Sequence, residues 1–243
     1  MRPRVDILGV EFDRVALLGA TEEIVQRLAD GRRTFVITAN PEFVMLCRRD
    51  REVAAIAAIA DLVIPDGTGA LVASRLLGDP LPGRAPGRLL VERLAAVARE
   101  RGLSLFLLGA APGIAERAAA ALVARHPGLR IAGTHDGDAG SADALAAVAA
   151  ARPELLFVAF GMPKQEQWIA RHLGDLPTVR VAVGVGGSLD YLAGTAKPPP
   201  GIVHAVGLEW LWRLVRDPRR WRRQRVLPVF VLLVILERLR SRR

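Results

Sequence analysis

Short apolar runs alternate along most of the chain with longer stretches in which apolar residues recur every three or four positions. The short runs are TFVITA, DLVIP, LSLFLLG, LRIAG, ELLFVAFG and VRVAVGV. They are apolar at consecutive positions, which is typical of strands buried on both faces of a parallel sheet. The longer stretches, such as PEFVMLCRRD, GRLLVERLAAVARERG and PGIAERAAAALVARH, have the period of amphipathic helices. This alternation predicts a doubly wound, Rossmann-like α/β body with a mainly parallel sheet, preceded by a small hairpin or edge strand in VDILGVEFDRV.

Polar and glycine residues follow the predicted strands at the positions where a doubly wound sheet binds ligands. Such sheets bind their ligands beyond the carboxyl ends of the strands. We therefore expect these residues to meet at one edge of the sheet, although they are far apart in the sequence. They are Thr38 and Asn40, Asp66, Gly109, His135 and Asp136, Gly161–Gln165, and Gly184–Asp190.

The positive charge of the chain is confined to its C-terminal end. The net charge is +9 over 243 residues. Residues 210–243 contain eleven arginines and two carboxylates, so they carry the whole excess, and residues 1–209 are neutral. This asymmetry indicates an appendage that contacts an anionic surface, which can be nucleic acid, lipid headgroups or the phosphates of a substrate. We expect an α/β body over residues 1–200 and a basic, Trp- and Arg-rich helical appendage over residues 201–243.

The cysteine content and the apolar segments bear on the cellular compartment. Cys47 is the single cysteine, which excludes a disulfide framework and a set of metal-binding thiols. Asp6 and Glu11 interrupt the N-terminal segment, which argues against a signal peptide. No stretch reaches the roughly 18 apolar residues of a membrane-spanning helix. A reducing, cytoplasmic setting is the expected one.

Asp66 lies between a buried strand and a helical pattern, in the segment DLVIPDGTGALV. A carboxylate at that position, half shielded by the strand and the helix, could have a raised pKa and act as a general base. Aspartate is also a favourable N-cap for a helix that starts near Thr68. Position alone does not separate the two roles.

The glycine and acidic motifs exclude some nucleotide-binding classes. Neither GTGALV nor GVGGSL completes G-x-G-x-x-G, and no glycine is followed by Lys-Ser/Thr, which disfavours a dinucleotide dehydrogenase and a P-loop NTPase. The turn around Gly186 and Gly187 either offers backbone N–H groups to a diphosphate or sugar, or is simply a tight turn. Asp136 and Asp138 form a D-x-D that could hold a divalent cation, but Asp and Gly are common turn residues. We expect a turn there and no essential metal.

Two further segments carry polar residues with alternative roles. FGMPKQEQW places Lys164, Gln165 and Glu166 at the start of a helix, either beside a bound anion or in a solvated first turn in which Glu166 is the favourable charge. Arg84 lies in the Pro/Gly-rich loop PLPGRAPGR, where it either binds phosphate from a mobile lid or is an ordinary exposed arginine.

Several blocks, taken in order, resemble the WecG/TagA/CpsF family of glycosyltransferases, glycosyltransferase family 26. They are TANPEFV, IPDGTGALVASRLLG, GRAPG, LFLLGAAPGIAERAA, FVAFGMPKQEQWIARH, GVGGSLDYLAGTAKPPP and GLEWLWRLVRDPRRWRR, and they span nearly the whole chain. The resemblance implies an inverting, metal-independent transfer of a sugar from a UDP-sugar to a polyprenyl-diphosphate-linked saccharide. The expected setting is the assembly of cell-surface polysaccharide or teichoic acid, with an N-acetylmannosamine-type or glucose-type donor.

The same resemblance implies roles for individual residues. Asp66 corresponds to the general base, and Thr38 and Asn40 to the pocket for the acceptor and the sugar. Arg84 and Gln165 correspond to polar residues of the active site. Beyond the resemblance, we expect Asp190 and the turn at Gly186 and Gly187 to contact the ribose or a phosphate. The tail arginines that close over the diphosphate correspond to Arg213, Arg220 and Arg223. The chain departs from the family pattern at Thr38-Ala39-Asn40, which replaces T-P-N, and at Pro198-Pro199-Pro200, which replaces R-A-P.

The appendage also has the composition of a segment that binds a membrane surface. Trp210, Trp212 and Trp221 are interspersed with arginines, and the apolar run VLPVFVLLVIL, in which Pro228 is expected to begin a helix, is too short to span a bilayer. A C-terminal helix packed on the body or on another subunit has the same composition. We expect a peripheral protein on the inner face of the cell membrane, and packing of the C-terminal helix on another subunit would make it a homo-oligomer. The rival classes are a nucleic-acid-binding protein, a metal-dependent enzyme using Asp136 and Asp138, and a non-catalytic membrane scaffold.

Overall fold

A six-stranded parallel sheet lies at the centre of a computed structural model, which describes residues 3–197, 211, 212, 215 and 221–240. The strands of this sheet are β3 (Thr34–Ala39), β4 (Leu62–Pro65), β5 (Ser104–Gly109), β6 (Arg130–His135), β7 (Leu155–Ala159) and β8 (Val181–Gly184). Helices connect consecutive strands, which confirms the predicted α/β class with a Rossmann-like arrangement. The helices up to β8 are α1 (Leu17–Ala29), α2 (Pro41–Arg49), α3 (Arg51–Ile59), α4 (Thr68–Leu77), α5 (Gly87–Arg101), α6 (Ile114–Arg125), α7 (Ala142–Ala151) and α8 (Lys164–His172).

The strand order is β4-β3-β8-β7-β5-β6, so β3 has β4 on one side and the other four strands on the other side. The last strand in sequence, β8, lies between β3 and β7. Thr38 pairs with Ile64, and Gly184 pairs with both Ile37 and Val158, so the four strands β4, β3, β8 and β7 end at nearly the same level. This arrangement brings their carboxyl ends together on one side of the sheet.

The apolar core is divided by the sheet into two layers. Alternate residues of β3 point to opposite layers, with Val36 in one and Ile37 in the other. Strand β6 departs from the sequence prediction, because its residues are exposed or only partly buried. It is an edge strand with a single neighbour, β5, so the LRIAG run is not covered on both faces.

The N-terminal segment forms the predicted hairpin, with β1 (Arg4–Ile7) paired antiparallel to β2 (Val10–Asp13) as a separate sheet. The turn between them uses Leu8 and Gly9, both of which have positive φ. The buried carboxylate of Asp13 accepts a hydrogen bond from the N–H of Val63 at 2.8 Å. This bond attaches the hairpin to β4.

The C-terminal part contains the short helix α9 (Ser188–Leu192) after β8, then α10 (Trp221–Gln224) and α11 (Leu227–Arg240). Pro228 is the second residue of α11, as expected for a proline that starts a helix. Phe230 and Val234 of α11 are buried in the core layer that also contains Ala70, Leu71 and Ala73 of α4. Among the described residues no helix is both long enough and apolar enough to cross a membrane. The predicted division at residue 200 lies outside the described residues and stays a prediction.

Candidate active site

A cleft of about 260 Å³ opens at the carboxyl ends of β4, β3, β8 and β7. Eight residues that the sequence predicted for the site line it, although they come from five separate parts of the chain. They are Thr38, Asn40, Asp66, Gln165, Gly186, Gly187, Asp190 and Arg223. The two other tail arginines of the prediction, Arg213 and Arg220, lie outside the described residues.

Asp66 is the first residue after β4 and is half-buried at the cleft. Its backbone N–H donates to the carbonyl of Ala39 at 2.8 Å, which extends the pairing of β3 and β4 by one residue. The N-cap position of α4 is occupied by Gly67, whose φ of 91° lets the chain turn sharply into the helix. Asp66 therefore does not occupy the N-cap position that was its alternative role, and its side chain lines the cleft.

Thr38 and Asn40 fix the end of β3 beside Asp66. The buried hydroxyl of Thr38 donates to the carbonyl of Gly184 at 2.8 Å, which ties the ends of β3 and β8 together. The side-chain oxygen of Asn40 accepts from the N–H of Phe43 at 3.0 Å and so caps α2. The cap uses only the oxygen of this amide, and its NH₂ group remains a potential donor to a bound sugar.

Gln165 connects the turns that follow β7 and β8. It is buried, and its Oε1 accepts from the N–H groups of Gly161 at 3.2 Å and of Gly186 at 3.0 Å. Its Nε2 donates to Glu166 Oε1 at 2.8 Å. A Cβ on Gly184 would lie 2.8 Å from this Nε2, so the close approach of β8 to the amide requires glycine. Gln165 thus holds the two backbone turns at Gly161 and Gly186, which line the cleft, in position.

Glu166 is fully buried, in contrast to the solvated first turn that was one reading of the sequence. Burial raises the pKa of its carboxyl group to about 7, against the lowering effects of the Gln165 hydrogen bond and the Arg223 charge. Its Oε2 has no hydrogen-bond partner among the described residues. Burial likewise raises the pKa of Cys47 to about 12, with Glu166 contributing, so this thiol is not poised as a nucleophile.

Arg223 brings the C-terminal appendage to the cleft. Its Nε and Nη2 both lie 3.1 Å from Glu42 Oε2, at the start of α2. Half of the Arg223 side chain remains exposed, so the guanidinium is held in place while one side stays accessible. The structure therefore places a tail arginine next to the end of β3, as the prediction for this residue requires.

Arg84 does not line the cleft. Its Nη1 donates to the hydroxyl of Thr68 at 3.2 Å, and its carbonyl accepts from the N–H of Leu17 at 3.1 Å. It belongs to the loop between α4 and α5 and lies beside the site, where it contacts the first residue of α4. Its role in binding stays a prediction.

The cleft is also lined by Glu42, Arg88 and Tyr191, charged or polar residues that the sequence did not predict for the site. Glu42 and Tyr191 are close in sequence to the predicted Asn40 and Asp190, and Tyr191 is the only tyrosine of the chain. Arg88 is the second residue of α5, whose N-terminal residues Pro86 and Gly87 also line the cleft. The sequence signal that could have identified Arg88 as a site residue is its position four residues after Arg84 in GRAPGR.

The D-x-D motif lies away from the cleft, after the edge strand β6. Asp138 Oδ1 accepts from the N–H of Gly140 at 2.7 Å, as in the turn that the sequence favoured. Within the described ranges there is no group of three or more His, Cys, Asp or Glu side chains arranged to hold a metal ion. His135 and Asp136 do not join the other strand ends, since β5 and β6 lie on the far side of β7.

Comparison with known proteins shows to which family the chain belongs. The model of the glycosyl transferase WecG/TagA/CpsF family matches residues 5–243. The chain belongs to this family. Similar relatives include proteins of Staphylococcus aureus strains MRSA252 and MW2, each named N-acetylglucosaminyldiphosphoundecaprenol N-acetyl-beta-D-mannosaminyltransferase. Each is 34% identical over 231 residues, which cover 94% of this chain and 91% of the relative.

Membership of the WecG/TagA/CpsF family confirms the resemblance drawn from the sequence and makes the protein a glycosyltransferase. The match extends to residue 243, so the sequence of the segment that supplies Arg223 to the cleft is included in the family match. The cleft described above is therefore the candidate site of sugar transfer.

Proposed function

We propose that this protein transfers an N-acetylmannosamine-type or glucose-type sugar from a UDP-sugar to a polyprenyl-diphosphate-linked saccharide, with inversion at the anomeric carbon. The relatives' printed name, which describes N-acetylmannosamine transfer to N-acetylglucosaminyldiphosphoundecaprenol, supports the N-acetylmannosamine donor and the lipid-linked acceptor. The expected context is the assembly of cell-surface polysaccharide or teichoic acid. The acceptor's lipid is the reason for proposing that the protein works as a peripheral protein on the inner face of the cell membrane.

The observation that carries this proposal is the position of Asp66 in one cleft with the glycine turn after β8. Inverting transfer requires a base that removes a proton from the acceptor hydroxyl on the side of the sugar opposite to the leaving UDP. Asp66 is the proposed base. Thr38 and Asn40, at the end of the neighbouring strand, are proposed to orient the sugar and the acceptor.

The leaving diphosphate gains negative charge as the glycosidic bond breaks, and this charge must be stabilised. The turn at Gly186 and Gly187, the N-terminus of α5 and the guanidinium of Arg88 line the cleft and can do so, with Gly187 supplying the backbone N–H of the turn because that of Gly186 is donated to Gln165 Oε1. Arg223 adds a further positive charge, and Arg213 and Arg220 are proposed to contribute likewise. With these groups the reaction needs no divalent metal, and no other cofactor is proposed. Asp190 is proposed to contact the ribose or a phosphate.

The substitution Asp66→Asn tests the proposed base. We expect kcat to fall by about 10³-fold, within the usual range for loss of a general base, while the Kd for UDP changes by less than about threefold. Transfer is measured with radiolabelled UDP-sugars and a short-chain lipid-diphosphate acceptor, and the Kd by calorimetry. The matched control is Asp136→Asn, which removes an aspartate after another strand end and should leave both values unchanged.

An Asn variant that remains active would remove Asp66 as the base. The same assay in EDTA tests the absence of a metal requirement, and we expect full activity. Loss of activity in EDTA, restored by Mg²⁺ or Mn²⁺, would show that the diphosphate is neutralised by a cation instead of by arginines.

A further inference from the structure

A second cavity, of about 580 Å³, lies between α4 and the C-terminal helices α10 and α11. Its walls are mainly apolar. Val72 and Leu76 form the α4 side, and Leu227 and Val231 form the α11 side, with Trp221 of α10 also contributing. We refer to this cavity as the α4–α11 groove.

The α4–α11 groove begins where the catalytic cleft ends. Asn40 lines the cleft and the next residue, Pro41, lines the groove; Asp66 lines the cleft, and Thr68 lines the groove. The same holds in the appendage, where Arg223 contacts the cleft and Trp221 and Gln224 the groove. Three separate chain segments thus contribute neighbouring residues to the two cavities, so the cleft and the groove lie side by side.

The contact between α4 and α2 closes the inner side of the α4–α11 groove. Gly69 packs so tightly on Pro41 that a Cβ there would lie 2.4 Å from Pro41 Cγ. The outer side is open, because Val72, Leu76 and Val231 are each about half exposed, at 46%, 45% and 50%. Half-exposed apolar side chains on two facing helices are characteristic of a ligand groove rather than of a closed core.

The exposed apolar surface continues from the groove along α11. Leu232, Ile235, Leu236 and Leu239 are all more than 40% exposed, while Phe230 and Val234 on the other side of the helix are buried. Arg238 Nη1 donates to the carbonyl of Leu77 at 3.1 Å and holds the far end of α11 against α4. The groove therefore leads from the reacting groups to an outward-facing apolar surface.

We propose that the α4–α11 groove binds the isoprenoid chain of the lipid-diphosphate acceptor, specifically the units next to the diphosphate. This proposal rests on the proposed function, which supplies an acceptor with a polar saccharide at one end and a polyprenyl chain at the other. The saccharide lies in the cleft at Asp66, the first prenyl units lie between α4 and α11, and the remaining chain continues over the apolar face of α11 into the bilayer. The contiguity of the two cavities matches the contiguity of the polar and apolar parts of this acceptor.

Transfer to water-soluble acceptors of different length tests the proposal in the absence of membranes. The acceptors carry the same N-acetylglucosamine diphosphate on chains of one, two, three or four prenyl units. We expect kcat/KM to rise by about tenfold or more per unit, because each unit adds apolar surface to the groove, and then to level off when the groove is full. A kcat/KM that is independent of chain length would overturn the groove while leaving the proposed transferase function intact. Absence of transfer to every acceptor from every UDP-sugar would instead contradict the proposed function.

The double substitution Val72→Gln, Val231→Gln tests the groove walls, and its half-exposed positions can accept polar side chains without unfolding the protein. We expect kcat/KM for the three- and four-unit acceptors to fall by at least about tenfold, with no more than a twofold change for the one-unit acceptor. The control is Val123→Gln on α6, which is 39% exposed and lies outside both cavities, and which should change nothing. An equal loss for short and long acceptors would overturn the proposal. So would conversion of a dimer into a monomer by the double substitution, because it would make the groove a contact between two copies of the chain.

Binding without transfer is measured by tryptophan fluorescence with farnesyl diphosphate as the probe. Trp221 is 55% exposed at the groove, so its emission should shift to shorter wavelength and saturate as the probe binds. The shift should disappear in Trp221→Phe and require at least about tenfold more probe in the double variant. The same shift with the wild type and Trp221→Phe would place the probe elsewhere and overturn the proposal.

Discussion

The carboxyl group of Glu166 lies under the catalytic cleft without contact with solvent. Its Oε1 accepts a hydrogen bond from Gln165 Nε2, and Oε1 of Gln165 in turn accepts from the N–H groups of Gly161 and Gly186. The amide of Gln165 is therefore oriented by Glu166 on one side and by two backbone N–H groups on the other. Through Gln165, Glu166 therefore contributes to the position of both turns of the cleft.

The raised pKa of Glu166, about 7, gives the stability of the protein a specific pH dependence. Below about pH 4.5 the carboxyl group is protonated in both the folded and the unfolded chain, so it has no differential effect. As the pH rises towards 7 the unfolded chain releases the proton while the folded chain retains it, and stability is lost over this interval. At about 1.4 kcal/mol per pKa unit, the total loss is about 3 kcal/mol.

The substitution Glu166→Gln should remove this loss. We expect the free energy of unfolding of the wild type, relative to that of Glu166→Gln, to fall by about 3 kcal/mol between pH 4.5 and pH 8. Urea denaturation at several pH values measures it. Glu22→Gln, at an exposed position of α1, is the matched control and should parallel the wild type. Parallel curves for the wild type and Glu166→Gln would mean that the carboxyl group ionises in the folded protein as easily as in water.

The burial of Glu166 was beyond prediction from the sequence for a physical reason. An acidic residue in the first turn of a helix interacts favourably with the helix dipole when it is exposed, and most such residues are exposed. Whether the turn faces solvent depends on which strand lies next to β7. That strand is β8, whose Gly184 leaves room for both Gln165 and Glu166. The same local pattern beside a different neighbour would be a solvated helix start.

At the scale of elements, the strands and the polar residues at their ends were predictable, but the order of the strands was not. Runs such as TFVITA and DLVIP identify buried strands by local composition alone. From their sequence all six strand ends were expected to converge, whereas the cleft uses only β4, β3, β8 and β7. Gly109 and His135 are excluded because β5 and β6 lie beyond β7, a consequence of long-range pairing that no local pattern contains. Arg88 was missed for the same reason, since the position of the N-terminus of α5 depends on the assembled sheet.

The ion pair between Arg223 of α10 and Glu42 of α2 allows the effect of the appendage on the reaction to be distinguished from its effect on stability. The Arg223–Glu42 ion pair is partly exposed, at 52% and 20% of the two side chains, so its contribution to stability is small, about 0–1 kcal/mol. The same guanidinium lines the cleft, where the proposed leaving diphosphate would have fewer water molecules to stabilise its charge. Arg223 should consequently be important for the reaction and nearly neutral for folding.

The substitution Arg223→Ala should lower kcat/KM for the UDP-sugar by about 10²-fold, the usual effect of removing one group that stabilises a developing anion. The midpoint of thermal unfolding should change by less than about 2 °C, as measured by scanning fluorimetry. Arg240→Ala removes an equal charge from the exposed end of α11 and is the matched control. If both variants have the same activity, the position of Arg223 at the cleft is not important for the reaction. Arg223 would then contribute only to the overall charge of the appendage.

At the scale of the whole molecule, charge and apolar surface coincide in the C-terminal part of the chain. Residues 1–209 are neutral, while residues 210–243 carry the +9 charge and α11 exposes Leu232, Ile235, Leu236 and Leu239. The sequence left open whether the apolar run of α11 packs on the body or faces a membrane. Its two sides do different things, because Phe230 and Val234 enter the core and the opposite side is exposed. The run is short and apolar at nearly every position, so its composition could not show which side of the helix is buried and which is exposed.

Docking to an anionic membrane is the prediction that follows from this distribution. Basic residues near an anionic surface contribute about 1 kcal/mol each, and the attraction is screened by salt, whereas the apolar contact of α11 is not. We expect the full-length protein to sediment with vesicles containing anionic lipid at about 50 mM salt and to be largely released at about 500 mM. Zwitterionic vesicles should retain little of it.

The variant Leu236→Glu places a carboxylate on the exposed face of α11 and should weaken vesicle binding by about tenfold or more, since it loses an apolar contact and adds a repulsive charge. Ile59→Glu, which makes the same change at a 68% exposed position of α3, should affect binding much less, because the body does not face the bilayer. Equal weakening by both variants would indicate that net charge alone governs binding, whatever the orientation of the molecule. Retention on DNA but not on vesicles would assign the basic appendage to nucleic acid. The difference between the two variants therefore measures whether α11 forms the membrane-facing side of the molecule, which is the orientation that would bring the cleft at Asp66 to a lipid-linked acceptor.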